Sequence, residues 1–143
     1  MREIRPVPVY IHAAWATWER LPLLTDTIER VVDRAIAAEC AKLKAETIAV
    51  GGVADHVHLL VRLPTAVSIA QLVKQVKGST AHLVSHQLTP DAFFRWQPGY
   101  GVVSVSPRHL SQVANYVARQ KEHHAAGSFL TTLEDVGLHS HDG

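Results

Sequence analysis

Apolar positions along the chain switch between a strand-like and a helix-like period, and these switches predict seven main elements and one short strand. Apolar residues at helical spacing predict three helices, and β-prone stretches without that spacing predict four main strands. In chain order we expect a strand over about residues 7–16, a helix over 26–44, strands over 47–53 and 56–63, a helix over 68–86, a short strand over 93–97, a strand over 100–104 and a helix over 106–125.

Local signals support these boundaries. Gly51-Gly52 is expected to break the second strand. The link between the second and third strands, Ala54-Asp55, is too short for a crossover, so these strands are expected to be antiparallel neighbours. Each helix opens on a capping signal: Asp26 with Glu29, Ser68 with Gln71, and Ser106 before Pro107.

The resulting order, β-α-β-β-α-β-α, predicts an α+β fold of the ferredoxin-like type. In this arrangement an antiparallel sheet has helices packed on one face, and here a further C-terminal helix follows. The chain shows no internal repeat and no linker, so we expect a single domain over residues 1–143, with a partly disordered tail from about Thr131.

Composition is that of an ordinary soluble globular protein, with 143 residues, 47% hydrophobic and 19% charged. No apolar stretch approaches the roughly 18 residues of a membrane span, and the N-terminus lacks a signal-peptide pattern. Cys40, the single cysteine, fits a small buried hydrophobe, and without a disulfide framework we expect a cytoplasmic protein. The net charge of +1 neither indicates nor excludes binding to nucleic acid.

Two histidines one residue apart head the third strand. Side chains of a strand alternate between faces, so His56 and His58 should point the same way while Val57 points the other. Both imidazoles could then reach one metal ion. Taken alone, a His-x-His pair is more often structural, and the rest of the chain has to decide between these readings.

The last predicted helix carries a second polar pair. Tyr116 and Gln120 are four residues apart and so project from one helical face. Alone, this pair would fit an interface tyrosine beside a solvated glutamine. Together with two imidazoles, however, an amide oxygen can hold a divalent cation and leave positions open for substrate oxygens. A phenol placed beside such a metal is a competent nucleophile for a phosphodiester.

Four motifs occur in an order and spacing that is specific as a set: Asp55-His56-Val57-His58-Leu59-Leu60-Val61, Trp96-Gln97-Pro98-Gly99-Tyr100-Gly101, Ser104-Val105-Ser106 and Tyr116-Val117-Ala118-Arg119-Gln120. With them the chain resembles, over nearly its whole length, the single-tyrosine HUH transposases. These are the TnpA enzymes of small hairpin-ended insertion sequences that move as single-stranded DNA. The resemblance weakens after Phe129, where a short polar tail replaces the usual acidic, leucine-containing helix.

The resemblance implies a role for each matching residue. His56 and His58 correspond to metal ligands and Gln120 to a third ligand, with Mg²⁺ or Mn²⁺ as the ion. Tyr116 corresponds to the nucleophile that forms a 5′-phosphotyrosine and releases a 3′-hydroxyl. The resemblance further implies a homodimer that recognises imperfect hairpins in single-stranded DNA.

Residues that contact DNA are harder to identify from sequence. Phe94, Trp96 and Tyr100 could stack on bases, although a core position is the more common role of such residues. Candidates for phosphate contacts are the basic residues Arg62, Lys74, Lys77, Arg108, Arg119 and Lys121, with Lys74 and Lys77 expected on one polar helix side.

Two other functions remain open at this point. One is a domesticated protein that holds DNA hairpins without cutting them. The other is a metallohydrolase that uses water, which would ordinarily need carboxylates beside the histidines. Asp55 is the adjacent carboxylate, and strand alternation is expected to point it away from the histidine face.

Overall fold

The computed structural model describes residues 8–120, which form a four-stranded sheet and three α-helices. Shorter helical turns are a 3₁₀ turn at Trp18–Arg20, a π-helical turn at Val84–Leu88 and a 3₁₀ turn at Pro107–His109. The main elements are β1 (Val9–Ala16), α1 (Asp26–Lys42), β2 (Glu46–Val53), β3 (His56–Leu63), α2 (Ile69–Leu83), β4 (Gly101–Val105) and α3 (Leu110–Ala118).

The sheet has the strand order β2-β3-β1-β4, and every pair of neighbours is antiparallel. β2 and β3 are adjacent, as the short link between them predicts. Together with the alternating helices, this arrangement confirms the predicted α+β, ferredoxin-like fold.

Helices cover both faces of the sheet. On one face, α1 and α2 pack over a large core that includes Val57, Leu59 and Leu72. On the opposite face, α3 packs against β2 and β3 over a smaller cluster that includes Leu60 and Val117. Because strand residues alternate, β3 contributes its odd-numbered side chains to the first core and its even-numbered ones to the α3 face.

The helix starts differ in part from the predicted caps. α2 begins as expected, because Ser68 Oγ accepts a hydrogen bond from the Gln71 amide at 3.0 Å. α1 is capped by Thr25, whose Oγ1 accepts from the Ile28 amide at 3.3 Å, so the prediction of Asp26 as the cap is wrong by one residue. Ser106 makes no side-chain cap hydrogen bond; it precedes a 3₁₀ turn, and its Oγ lies 3.2 Å from His109 Nδ1.

Three strand and helix boundaries also need correction. β2 runs unbroken through Gly51 and Gly52. Residues 93–97 form no strand; Trp96 makes one isolated bridge with Thr17. α3 ends at Ala118, because Arg119 leaves the helical conformation, so the prediction of an unbroken helix to about residue 125 is wrong. The predicted disordered tail lies outside the described residues. The single-domain organisation over residues 1–143 stays a prediction for the same reason.

Candidate active site

β3 places its two histidines side by side on the α3 face. His56 and His58 are 3% and 0% exposed, and their ring centroids are 5.2 Å apart. Small residues stand opposite His58 on both neighbouring strands, Ala14 on β1 and Gly51 on β2. The absence of bulky partners at these two positions leaves room above the sheet for the imidazoles and for α3.

Asp55 forms a hydrogen bond with His56, contrary to the expectation from strand alternation. The distance from His56 Nδ1 to Asp55 Oδ1 is 2.7 Å. Asp55 lies in the turn before β3, where alternation does not apply. The hydrogen bond from His56, aided by the Arg20 guanidinium, lowers the pKa of Asp55 to about 2. An ionised carboxylate only accepts, so the proton of a neutral His56 lies on Nδ1.

Arg20 lies in the 3₁₀ turn after β1 and contacts both Asp55 and His56. Its Nε donates to Asp55 Oδ2 at 3.2 Å, and its Nη2 lies 3.2 Å from His56 Nδ1. Glu19 and Arg20 both have positive φ angles, 51° and 56°, a conformation that costs non-glycine residues free energy. Thr17 anchors the loop, since its amide donates to the Asp55 carbonyl at 2.9 Å.

Sequence reasoning missed a third histidine, His12 on β1. Its Nε2 lies 2.7 Å from His58 Nδ1, and its side chain is 2% exposed. His12, Ala14 and Ala16 share one face of β1, and the register pairs the two alanines with His58 and His56. The sequence shows the alternation of β1 but not this register, so no sequence signal singles out His12.

Tyr116 stands over these histidines from α3 of the same chain. Its ring centroid is 5.8 Å from that of His58 and 6.2 Å from that of His12, and its side chain is 6% exposed. The next residue, Val117, is fully buried against the sheet. The structure therefore brings the predicted nucleophile and the predicted histidine pair of one chain together.

Gln120 lies just past the end of α3, where Arg119 leaves the helical conformation with φ −114° and ψ 34°. Its side chain is 1% exposed, and its Nε2 donates to the carbonyl of Tyr116 at 3.1 Å. The opposite amide atom, Oε1, is also buried and accepts no hydrogen bond from the described residues. A buried carbonyl oxygen of this kind is suited to a cation.

The donors present fit a divalent cation. The Nε2 atoms of His56 and His58 are both buried, while their Nδ1 atoms contact Asp55 and His12. A partner on one ring nitrogen orients the other for coordination. Within residues 8–120, no group of three or more His, Cys, Asp or Glu side chains forms a complete metal site. The predicted ligands are instead two imidazoles and one amide oxygen, a set that would leave positions for substrate oxygens.

Some of the basic residues predicted to contact DNA are exposed, and one is buried. Arg62, Lys74, Arg108 and Arg119 are exposed, and Lys121 lies outside the described residues. Lys77 is only 5% exposed, and its Nζ donates to the carbonyls of Gln97 and Gly99 at 2.8 and 2.9 Å. The prediction that Lys77 shares a polar face with Lys74 is therefore wrong, and the Lys77 ammonium group binds two carbonyls inside the protein where a phosphate contact was predicted.

The aromatic candidates for base stacking lie in the core. Phe94, Trp96 and Tyr100 are 7%, 5% and 6% exposed and belong to the cluster beneath α1 and α2. Trp96 also donates through Nε1 to Thr80 Oγ1 at 3.0 Å. Their role here is packing, the alternative that sequence reasoning favoured. Cys40 is buried as predicted.

Comparison with known families decides the assignment. The model of the IS200-like transposases matches residues 7–120, a segment that includes every residue of the site described above. The chain belongs to this family. The resemblance to single-tyrosine HUH transposases is thereby confirmed, and a role in DNA transposition or recombination, as an endonuclease or strand transferase, follows from membership.

Solved structures with the same fold agree with this assignment to the IS200-like transposases. One, from Deinococcus radiodurans R1 and assigned as a transposase, is 24% identical, with a TM-score of 0.67 over 84% of this chain and 98% of its own. Another, a REP-associated tyrosine transposase bound to a REP hairpin, is 17% identical, with a TM-score of 0.61 over 87% of this chain and 74% of its own. No curated protein matches the chain. Among the helices of residues 8–120, none is long and apolar enough to cross a membrane.

Proposed function

We propose that this IS200-like transposase cleaves and rejoins single-stranded DNA through a covalent bond between Tyr116 and a 5′-phosphate. The observation that carries the proposal is the position of Tyr116, whose ring lies 5.8 Å from that of His58 in the same chain. A nucleophile beside two imidazoles and the buried oxygen of Gln120 is the arrangement that metal-assisted phosphodiester chemistry needs.

His56, His58 and Gln120 would hold the divalent cation, Mg²⁺ or Mn²⁺. When bound, such an ion draws electron density from a phosphate oxygen and makes phosphorus easier to attack. Asp55 orients His56 by accepting from its Nδ1, and Arg20 holds the Asp55 carboxylate in place. The tyrosine oxygen forms a new bond to phosphorus while the bond from phosphorus to the 3′-oxygen breaks. The proton of the tyrosine hydroxyl passes to solvent, and the 3′-oxygen takes up a proton from solvent and leaves as a 3′-hydroxyl.

The phosphotyrosine keeps a phosphodiester bond, so a 3′-hydroxyl can attack it and rejoin a strand without an external energy source. Tyr116 and both predicted histidine ligands are buried. Binding of a DNA phosphate at the Tyr116 hydroxyl therefore requires this side chain to become more exposed than it is in the protein alone.

The proposed partner is single-stranded DNA with imperfect hairpins, and the proposed assembly is a homodimer. A REP hairpin bound by a structural neighbour supports the hairpin as ligand. The exposed residues Arg62 and Arg108 are the candidates for phosphate contacts. The homodimer rests on the resemblance to single-tyrosine HUH transposases.

The test uses single-stranded oligonucleotides from the DNA that flanks the gene, incubated with the protein and Mg²⁺ or Mn²⁺. A denaturing gel would reveal a protein–DNA adduct. We expect the adduct in the wild type and in Tyr100→Phe, which removes a hydroxyl from the core on the other side of the sheet. We expect none in Tyr116→Phe.

Other results would favour the alternative functions. Hairpin binding without an adduct in either metal would indicate a protein that holds DNA and does not cut it. Cleavage that persists in Tyr116→Phe would indicate a hydrolase that uses water as the nucleophile.

A further inference from the structure

We propose that His12 is a positioning residue that fixes the tautomer of His58, so that the Nε2 atom of His58 presents a lone pair to the cation. This inference rests on the proposed function for the identity of the cation site. The position of the proton on His58 can be measured without any metal or DNA.

The two imidazoles are in direct contact inside the protein. His12 Nε2 and His58 Nδ1 are 2.7 Å apart, and the ring centroids are 5.0 Å apart at an interplanar angle of 44°. Both side chains are at most 2% exposed. At this distance one of the two nitrogens carries a hydrogen and the other accepts it. The contact therefore links the proton position of one ring to that of the other.

The hydrogen bond between His12 and His58 has two possible directions, and one of them suits a metal ligand. If His12 donates through Nε2, a neutral His58 carries its own proton on Nε2, and that nitrogen cannot coordinate. If His58 donates through Nδ1, its Nε2 is bare and faces the site shared with His56. The hydrogen bond of one ring nitrogen thus selects the role of the other.

His56 shows the same arrangement through a different partner. The Asp55 carboxylate accepts from His56 Nδ1 at 2.7 Å, which leaves Nε2 of His56 for the cation. Asp55 and His12 therefore make equivalent contacts with the two predicted ligands, each on Nδ1. The difference is that an ionised carboxylate can only accept, whereas His12 must itself be in the tautomer with its proton on Nδ1.

Loss of the acceptor should reverse the tautomer of His58. A buried Nδ1–H without an acceptor loses the free energy of its hydrogen bond. The neutral imidazole by itself favours a proton on Nε2, so His58 would move its proton there. Nε2 would then be blocked until the tautomer reverted, and the affinity for Mn²⁺ would fall by roughly 10–100-fold, the usual effect of removing a partner that orients a ligand.

The first measurement uses the wild-type, metal-free protein labelled with ¹⁵N at its histidines, in mildly alkaline buffer. Nitrogen chemical shifts distinguish a protonated ring nitrogen from a bare one. We expect His58 to have a protonated Nδ1 and a bare Nε2, and His12 to have a bare Nε2. A proton on Nε2 of His58 in this sample would overturn the proposal.

The second measurement compares two amide replacements of nearly equal size. In His12→Gln the amide oxygen can occupy the place of the imidazole Nε2 and accept from His58. In His12→Asn the shorter side chain cannot reach it. We expect His12→Gln to keep the His58 tautomer and the Mn²⁺ affinity, measured by calorimetric titration, and His12→Asn to lose both while still folded by circular dichroism.

The outcomes separate this inference from the proposed function. A His58 tautomer that is the same in wild type, His12→Gln and His12→Asn would overturn the role of His12, whatever the enzyme does to DNA. A wild type with the expected tautomer that binds no Mn²⁺ would contradict the metal site in the proposed function while supporting the contact that sets the tautomer. A merely space-filling role of His12 predicts equal effects of the two amides.

Discussion

Gly51 of β2 lies directly beneath the backbone oxygen of Val117 on α3: a methyl group added to Gly51 would stand 2.2 Å from that oxygen. Real side chains do not approach a carbonyl so closely, so α3 can pack this close to β2 only where the strand has a glycine. Tyr116 is the residue before Val117, and Gly51 pairs directly with His58 in the sheet. One glycine therefore sets the distance between the predicted nucleophile and a predicted metal ligand.

Gly51→Ala should displace α3 and separate Tyr116 from His58. We expect the free energy of unfolding to fall by roughly 1–3 kcal/mol, the usual result of overpacking, and adduct formation to fall more than hairpin binding. Chemical denaturation and the denaturing-gel assay would measure the two effects.

Gly78→Ala is the matched control for this change. A methyl group at Gly78, on α2, would meet nothing within 4 Å, and alanine favours a helix by about 0.5–1 kcal/mol over glycine. This variant should be slightly more stable than the wild type and fully active. A Gly51→Ala protein as stable and active as Gly78→Ala would show that α3 does not depend on this contact.

Asp55→Ala should weaken metal binding through His56. The carboxylate accepts from His56 Nδ1 and holds Arg20 beside it, so its loss leaves the ring without its orienting partner. We expect the Mn²⁺ affinity to fall by roughly 10–100-fold. Asp55→Asn should lose less Mn²⁺ affinity than Asp55→Ala, because its amide oxygen can still accept the same hydrogen bond from His56. Calorimetric titration would measure both.

The control for Asp55 is Asp91→Ala, which removes an exposed carboxylate from the turn after α2. Its Mn²⁺ affinity should equal that of the wild type. Equal losses in Asp55→Ala and Asp91→Ala would mean that the effect is one of net charge and not of ring orientation.

Sequence patterns predicted the histidine pair and its tyrosine because both depend on local periodicity. Alternation along β3 places His56 and His58 on one face. Gln120 lies past the end of α3, so the helical repeat does not place it, and a hydrogen bond to the Tyr116 carbonyl holds it beside that residue. The same rules misjudged Asp55, because it belongs to a turn and alternation holds only within a strand. His12 was missed because its importance depends on the register between β1 and β3, which the sequence alone does not show.

Lys77 shows a different kind of error. Its spacing of three from Lys74 predicted a shared polar face, but it also lies four residues after Val73 and three before Thr80, both buried. The helical repeat therefore fits the buried side equally well. What decides between the sides is a pair of carbonyls from a distant loop, Gln97 and Gly99, which only the tertiary structure brings to the ammonium group.

Reversing the charge of one basic residue on each side of the sheet should show which side binds DNA. Arg62 follows His56, His58 and Leu60 along the α3 face of β3, whereas α2, with Lys74, covers the opposite face. We expect Arg62→Glu to weaken binding of a hairpin oligonucleotide and to reduce the salt dependence of its affinity, as the loss of about one phosphate contact would.

Lys74→Glu makes the same charge change on the other face and serves as the control in this binding experiment. Fluorescence anisotropy at several salt concentrations would compare the two proteins. Equal weakening by both substitutions would mean that DNA responds to overall charge or contacts both faces.

Lys77→Met should reveal the buried ammonium group through the pH dependence of stability. Burial lowers the pKa of Lys77 from 10.5 to about 8, so between these pH values the unfolded chain holds a proton that the folded protein has released. Stability contributed by this group therefore rises from about pH 8 to 10.5 and is lost as the pH falls through about 8.

Methionine cannot titrate and also leaves two carbonyls without their donor, so Lys77→Met should be less stable than the wild type, by a margin that widens as the pH rises over this range. Urea unfolding at intervals of pH would measure it, with Lys74→Met as the exposed control on the same helix. A margin that stayed constant across this range would show that Lys77 is not held at a lowered pKa in the folded protein.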